Sequence, residues 1–225
     1  MRLSLDYWDI KIEDVIEAME PSVALNQCAL NDELCDLIHR GPGGSLWRNN
    51  DSFVYGINWN LGDQHSTGID VAWSWSLKEH WLFNLIGTYY LKKETTYIPN
   101  DPDSSWDCAG LAGWDGVVYC PATPKWRHTA SATYDSNSFW SVTGRWRFYD
   151  KVTYIGDSEI AADNLGAQNY LDLNAVLRFG GEHDVTLGVN NILDREPPLV
   201  GNSVDIRGYY DPLGRYLFAQ ATLRW

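Results

Sequence analysis

The chain has 225 residues and a formal net charge of −13, and no apolar run is long enough for a transmembrane helix. The acidic excess argues against nucleic acid as a partner, because phosphate binding depends on clusters of Lys and Arg. Trp and Tyr are abundant, with 12 and 13 residues against 6 Phe. That composition suits the aromatic girdles of a membrane barrel and equally a secreted, Trp-rich sugar-binding sandwich.

The first predicted strand, Leu3–Ile12, alternates apolar and polar side chains. Its alternation changes phase near Tyr7 and Trp8, which a β-bulge or the emergence of the strand from a membrane would explain. After this strand, residues 13–19 and 21–29 each predict a short helix.

Residues 53–77 carry apolar side chains at odd positions on both sides of a polar middle. Because the apolar side chains keep to odd positions on both sides of the polar middle, the pattern favours one long strand. Residues 69–77 of this strand would cross the membrane. A hairpin that turns at residues 62–64 is the alternative, and the sequence leaves both open.

Six further stretches alternate in the same way and bring the predicted strands to eight: 81–91, 126–134, 140–149, 171–179, 185–189 and 214–225. The connections are short at 78–80, 135–138 and 180–183, and long at 13–50, 92–124, 150–167 and 190–213. Short turns on one side and long loops on the other are typical of an outer-membrane barrel. The last strand, about ten residues long, can cross a bilayer when tilted.

Four cysteines form two local pairs, Cys28 with Cys35 and Cys108 with Cys120. Neither pair has the two-residue spacing of a zinc knuckle, and both lie in polar segments between strands. The pattern favours two disulfides formed in an oxidising compartment over a zinc site with His39 as an additional ligand.

No catalytic or phosphate-binding motif occurs, and the five His are scattered along the chain. We therefore expect no enzyme activity, no cofactor and no metal site. Residues 100–104 offer oxygen atoms for calcium, but they lack the spacing of an EF-hand and are interpreted as a turn-rich loop.

Three aromatic residues, Trp106, Trp114 and Tyr119, lie within or beside the second cysteine pair. They form a candidate ligand-contacting loop, because their rings could stack on a sugar or on a flat chelate. Packing of the loop itself explains them equally well.

The C-terminal segment resembles that of TonB-dependent outer-membrane receptors. The similarity lies in Gly188–Asp194 with Pro197, in Asp211–Tyr216 and in the terminal aromatic residue Trp225, where the family more often has Phe. Four earlier stretches also resemble the family: Asp6–Ile16, Leu25–Cys28, Cys35–Arg40 and Thr67–Asp70.

The resemblance implies an all-β fold, an antiparallel transmembrane β-barrel segment of about eight strands from a barrel of roughly 22 strands. Short helices would lie in an extracellular loop. Residues 1–225 would be the C-terminal part of the barrel, without signal peptide, plug domain and earlier strands. Met1–Tyr7 indeed lack the apolar core of a signal peptide.

The function implied by the resemblance is active uptake of a scarce nutrient across the cell outer membrane of a Gram-negative bacterium, with energy from the TonB system. An iron chelate, cobalamin or an oligosaccharide would be the ligand. The implied partners are outer-membrane lipid, the plug domain of the same parent chain, TonB through the missing N-terminal part, and the barrel-assembly machinery, for which Trp225 would be the signal. The alternatives are a self-contained eight-stranded outer-membrane barrel with a structural or adhesive role and, more distantly, the sugar-binding sandwich.

Alternation also predicts which face each side chain occupies. The residues expected to face lipid are Trp140, Val142, Trp146, Phe148, Leu171, Leu173, Leu177, Leu217 and Leu223. The residues expected to face the lumen are Asp70, Asp172, Arg145, Arg147, Arg178 and Arg224. The three arginines 145, 147 and 178 either form part of a polar wall or contact a plug domain or an anionic ligand.

Overall fold

The computed structural model describes residues 1–18, 21–48, 50–56, 58–60, 62–96, 105–114, 119–155, 164–180, 183–197 and 210–224. The strands are β1 Arg2–Ile12, β2 Ile16–Ala18, β3 Ile38–His39, β4 Phe53–Val54, β5 Asn58–Asn60, β6 Asp63–Leu77, β7 Trp81–Thr96, β8 Ser105–Asp107, β9 Leu111–Trp114, β10 Tyr119–Cys120, β11 Trp126–Asp135, β12 Trp140–Tyr149, β13 Val152–Tyr154, β14 Asn164–Leu165, β15 Gln168–Phe179, β16 His183–Asn190 and β17 Tyr216–Thr222. One α-helix, α1, spans Pro21–Asn31, and a 3-10 helix spans Cys35–Leu37. In this part of the chain, neither helix is long and apolar enough to cross a membrane.

Eight strands form the main sheet in the order β1-β6-β7-β11-β12-β15-β16-β17, and β8 adds to the far end of β7. All neighbours on this path are antiparallel. The prediction of an all-β, antiparallel sheet of about eight strands is therefore confirmed. Across the described residues β1 and β17 do not pair with each other, so the sheet is open.

The pairing register confirms the predicted faces of the sheet. Trp140 lies opposite Leu177 and Trp146 opposite Leu171, which places these apolar side chains on one face, called here the outer face. Arg145 lies opposite Asp172 on the other face, called here the inner face. Successive side chains of a strand point to opposite sides, so alternation in the sequence becomes segregation in the sheet.

A band of aromatic rings covers the outer face near the short turns. The contacts run from ring to ring with centroids 5.0 to 6.3 Å apart. Its members, in order, are Trp73, Trp75, Phe83, Trp81, Tyr134 and Trp140. Large amphipathic rings in this position are typical of a membrane interface.

The prediction of one continuous strand over residues 53–77 is wrong, and so is the alternative hairpin. Phe53–Val54 pairs with β3, β5 pairs with β2, and β6 pairs with β1. The register is the same on both sides of the interruption between β5 and β6, so Asp14 lies opposite Gly62. Both residues have a φ of 55°, and this matched pair of left-handed residues interrupts the ladder without reversing the chain.

One of the two predicted short helices is present. The helix predicted at 21–29 is α1, which begins at Pro21, a residue favoured at the first helical position. Val23 and Ala24 of α1 pack on Leu37 in a small core. The helix predicted at 13–19 is wrong, because residues 16–18 form β2 and pair with β5 instead.

The expected irregularity near Trp8 lies on a different strand. β1 pairs with β6 without a break, whereas the β6–β7 ladder shifts register beside Gly68 and leaves Leu91 as the extra residue of a bulge. Trp8 points to the inner face, edge-on to Tyr90 at a centroid distance of 5.6 Å. A Cβ on Gly68 would overlap the Trp8 ring, so the glycine makes room for an aromatic residue on the polar face.

Candidate functional site

Two of the long connections, 92–124 and 150–167, fold into a second, smaller sheet with the strand order β10-β9-β13-β14. Its core consists of the buried residues Ala112, Ala122, Val152, Leu165 and Tyr210. Burial and the neighbouring Tyr170 raise the pKa of Tyr210 to about 12, so its hydroxyl stays protonated at neutral pH. This sheet joins the ends of the strands that carry the long loops.

Both predicted disulfides are present, Cys28–Cys35 and Cys108–Cys120. The zinc alternative is wrong, since each sulfur is bonded to another sulfur. Cys108 and Cys120 are buried and pack against Leu111, so the second disulfide links the residue that follows β8 to β10 at the edge of the inner face.

Of the candidate ligand-contacting loop, the structure places Tyr119 at a cavity. This cavity, of about 210 Å³, is also lined by Ser66, Lys93, Cys108 and Pro121. Trp106 lies on β8 opposite Thr95 of β7; Thr95 lines the cavity, whereas Trp106 is not among its lining residues.

Trp114 pairs through its backbone with Tyr119, and its side chain lies outside the described residues. So do the oxygen-rich residues 100–104 and Trp225. Ligand contact by this loop stays a prediction.

A larger cleft of about 470 Å³ opens on the inner face, across β6, β7, β11 and β12. Its polar side chains are those of Asp70, Thr88, Arg127, Thr129 and Tyr149. The Thr88 hydroxyl donates to Asp70 Oδ1 at 2.7 Å. Asp70 thus lies on the inner face, as predicted.

Two of the predicted inner-face arginines, Arg145 and Arg147, converge on one carboxylate. Asp172 is 4% exposed and accepts hydrogen bonds from Arg145 Nε and Arg147 Nε, each at 2.8 Å, and from Arg147 Nη2 at 2.9 Å. Arg147 Nη2 also donates to Asp211 at 3.0 Å. A buried charge needs such partners, because an unpaired one is strongly destabilising.

The motif Gly188–Asp194 fastens the last long connection to this cluster. The Asn191 backbone N–H donates to Asp172 at 2.9 Å, and its side chain bonds both the N–H and the C=O of Arg195. Asp194 accepts hydrogen bonds from the Arg215 backbone and guanidinium. Asn191 and Asp194 have positive φ, a conformation that Asn and Asp tolerate better than most residues.

Arg178 belongs to a separate ion pair at the end of the sheet with the short turns. Its guanidinium donates to both oxygens of Asp135, at 3.1 and 2.7 Å, and to Ser141 Oγ. The hydrogen bonds from Arg178 lower the pKa of Asp135. This pair is remote from both cavities and ties the 135–138 turn to β15.

Two inner-face cations, Lys93 and Arg127, were not among the candidates from the sequence. Alternation could have identified Arg127, which is in phase with Thr129 on the polar face of β11. Lys93 could not be assigned a face in this way, because the bulge at Leu91 reverses the phase of β7.

The family model described as "TonB dependent receptor-like, beta-barrel" matches residues 1–192. No curated protein matches the chain significantly in sequence. The ferric enterobactin receptor of Pseudomonas aeruginosa in complex with enterobactin is a similar solved structure, 15% identical with a TM-score of 0.59. The match covers 96% of this chain and 28% of that one.

The FrpB iron transporter of Neisseria meningitidis is 13% identical with a TM-score of 0.58, and the match covers 97% of this chain and 28% of that one. At these identities the likeness shows a shared fold. The chain spans 28% of the length of both structures. Since the family model covers far more than half of the chain, the chain belongs to the β-barrel family of TonB-dependent receptors.

Proposed function

We propose that this chain forms the C-terminal part of the barrel of an outer-membrane receptor that imports a scarce nutrient with energy from the TonB system. The observation that carries the proposal is the two-faced sheet of a TonB-dependent receptor. Its outer face is apolar with an aromatic band, and its inner face is charged and carries two cavities.

The outer face supports a location in the outer membrane of a Gram-negative bacterium. Leu3, Leu5, Leu173 and Leu217 are between 43% and 73% exposed, an exposure that suits contact with lipid rather than water. Members of the family are outer-membrane proteins, and the similar structures are a receptor and a transporter rather than enzymes.

A plug domain and further strands in the same parent protein are part of this proposal. The chain corresponds to 28% of each matched structure, and the open edges of β1 and β17 can accept more strands. TonB would act through an N-terminal part of that parent protein, and Trp225 would be read by the barrel-assembly machinery.

An iron chelate is the ligand class best supported among the three that the sequence left open. The two similar structures are a ferric enterobactin receptor and an iron transporter. Cobalamin and an oligosaccharide are the competing ligands. The 210 Å³ cavity beside Tyr119 and the 470 Å³ cleft lie where a ligand entering from the long loops would meet the barrel wall.

Uptake by cells tests the proposal. We expect deletion of the parent gene to reduce accumulation of a radiolabelled ferric chelate under iron limitation, and loss of TonB to reduce it equally. Labelled cobalamin and maltohexaose serve as comparison ligands. Normal accumulation of all three ligands in the deletion strain would contradict the import function.

The self-contained eight-stranded barrel is not supported, because β1 and β17 do not pair within the described residues. Membership of the receptor family also argues against a secreted sugar-binding sandwich.

A further inference from the structure

Two cations on the inner face have no carboxylate partner among the residues that the structure describes. Within the described part of the chain, neither Lys93 nor Arg127 forms an ion pair, and the only hydrogen bond of Lys93 Nζ goes to Thr123 Oγ1 at 3.2 Å. Arginines 145, 147 and 178 of the inner face are paired with carboxylates. In a chain with a net charge of −13, two unpaired neighbouring cations are an exception that needs an explanation.

Tyr90 lies between these two cations. Lys93 Nζ is 5.9 Å and Arg127 Cζ is 6.0 Å from the centroid of the Tyr90 ring. In a regular strand, residues 90 and 93 would point to opposite faces. The bulge at Leu91 puts both on the inner face, so the irregularity of β7 is what assembles the cluster, called here the Lys93–Tyr90–Arg127 cluster.

The second disulfide loop holds Lys93 in place. The Lys93 backbone N–H donates to Asp107 Oδ1 at 2.8 Å, and its C=O accepts from the N–H of Cys108 at 2.9 Å. Lys93 lies beyond residues 81–91, the strand predicted from the sequence, and burial and the charge of Arg127 lower its pKa. The fold thus keeps a cation in a place that disfavours it, which is the arrangement expected of a preorganised site for an anion.

The acidic groups nearby form no ion pair with the cluster among the described residues. Asp107, beside Lys93, accepts hydrogen bonds from the backbone N–H groups of Lys93 and Ala109. Asp70 lines the same cleft as Arg127, but Thr88 lies between the two in the ladder and donates to Asp70. Glu94 lines the smaller cavity with Lys93, but it is paired with Lys92 at 2.6 Å. The wall between the two cavities therefore has two cations available and an aromatic ring between them.

We propose that the Lys93–Tyr90–Arg127 cluster binds an anionic, planar group of the transported ligand, a carboxylate or a catecholate. A guanidinium matches the paired oxygens of such groups, and an ammonium adds a second, compact charge. This inference rests on the proposed uptake function and narrows it, since a neutral oligosaccharide would leave both cations unpaired. It also assigns a function to the disulfide loop, which positions Lys93.

Binding to the complete receptor, purified in detergent, tests the inference through quenching of its tryptophan fluorescence. The anionic probes are ferric tris(catecholate) and ferric citrate, which separate the two anion chemistries. The neutral probes are a ferric tris(hydroxamate) and maltohexaose. The variants are Arg127→Gln and Lys93→Met, with Lys93→Arg as the charge-preserving change. Lys151→Gln removes an exposed positive charge outside both cavities and is the matched control.

We expect Arg127→Gln and Lys93→Met each to weaken binding of an anionic probe about tenfold or more, the usual consequence of losing a charge-assisted hydrogen bond. Lys93→Arg should bind within about threefold of the wild type, and Lys151→Gln should be unchanged. Heat-modifiable gel mobility identifies the variants that remain folded. If another variant does not fold, Lys93→Arg and the salt dependence of binding by the wild-type receptor still test whether the cluster binds an anion.

Unchanged affinity for the anionic probes in folded variants would overturn the inference, as would equal losses for anionic and neutral probes. If the wild-type receptor binds only a neutral probe, the inference is overturned but the proposed import function is not. If the wild type binds none of the probes and the deletion strain accumulates every ligand normally, the proposed function fails together with the inference.

Discussion

Arg147 and Asp172 form a two-point ion pair across β12 and β15, with Arg147 Nε and Nη2 donating to the two carboxylate oxygens at 2.8 and 2.9 Å. Asp172 is buried, and Arg145 and the Asn191 backbone occupy its remaining acceptor positions. One carboxylate thus holds together the barrel wall and the start of the last long connection. Removing it leaves Arg145 without this carboxylate partner and Arg147 with Asp211 alone.

The first prediction concerns this pair. Asp172→Ala should lower the free energy of unfolding of the folded receptor by about 3–5 kcal/mol, the usual range for breaking a buried pair from one side. Urea unfolding in lipid vesicles measures it. Lys11→Ala, which breaks an exposed pair with Glu13, should leave stability unchanged. Equal effects of the two substitutions would show that the Asp172 cluster is not a structural centre.

The second prediction tests the assignment of faces. Leu173→Arg puts a charge on the outer face and should cost roughly 2–4 kcal/mol in folding into lipid. Asn174→Arg, one residue further along β15 on the inner face, is the matched control and should be tolerated. Asp172 is less suitable as a control, because it is the centre of the ion cluster. Equal impairment by the two arginines would mean that the faces are wrongly assigned.

The third prediction concerns the disulfides. Mass spectrometry of non-reduced peptides from the cell envelope should find Cys28 linked to Cys35 and Cys108 linked to Cys120. Closing such loops contributes on the order of 2–3 kcal/mol in the chain-entropy model. Loss of Cys108–Cys120 through paired Ser substitutions should also weaken anionic-ligand binding, whereas loss of Cys28–Cys35 should not. Free thiols or bound zinc in the native protein would contradict the pairing.

The fourth prediction concerns the open edges. Residues 1–225 alone should not refold in detergent into a monodisperse, heat-modifiable monomer, because β1 and β17 each leave one edge unpaired among the described residues and unpaired edges associate with other chains. Size-exclusion chromatography and gel mobility measure this. A compact, heat-modifiable monomer would instead favour the self-contained eight-stranded barrel.

The fifth prediction is a pH dependence at the short-turn end of the sheet. Hydrogen bonds from Arg178 and from the Asn137 backbone lower the pKa of Asp135 below its ordinary value of 3.8. The associated stability is therefore present above that value and is lost as the pH falls through the lower, folded-state pKa. Asp135→Asn should remove this dependence, so that unfolding curves of variant and wild type converge in acid. A difference that persists unchanged at low pH would contradict the assignment.

Local sequence was sufficient to determine most strands of the main sheet and the faces of their side chains. Alternation in segments such as 140–149 and 171–179 specifies which side chains meet lipid, because the side-chain period of a strand is two whatever surrounds it. The two disulfides could also be predicted from the sequence, because the two cysteines of each pair are close together along the chain. The helix predicted at 13–19 failed because pairing of β2 with β5 outweighed a local preference.

The tertiary structure decided the features that depend on partners distant in sequence. Arg147 meets Asp172 and Asp211 from 25 and 64 residues away, and no local pattern encodes which arginine is neutralised by which carboxylate. The bulge at Leu91 depends on how β7 registers against β6, and it alone brings Lys93 to Tyr90. Alternation is a property of one strand, whereas charge pairing and register are properties of neighbouring strands, and those neighbours exist only once the sheet has formed.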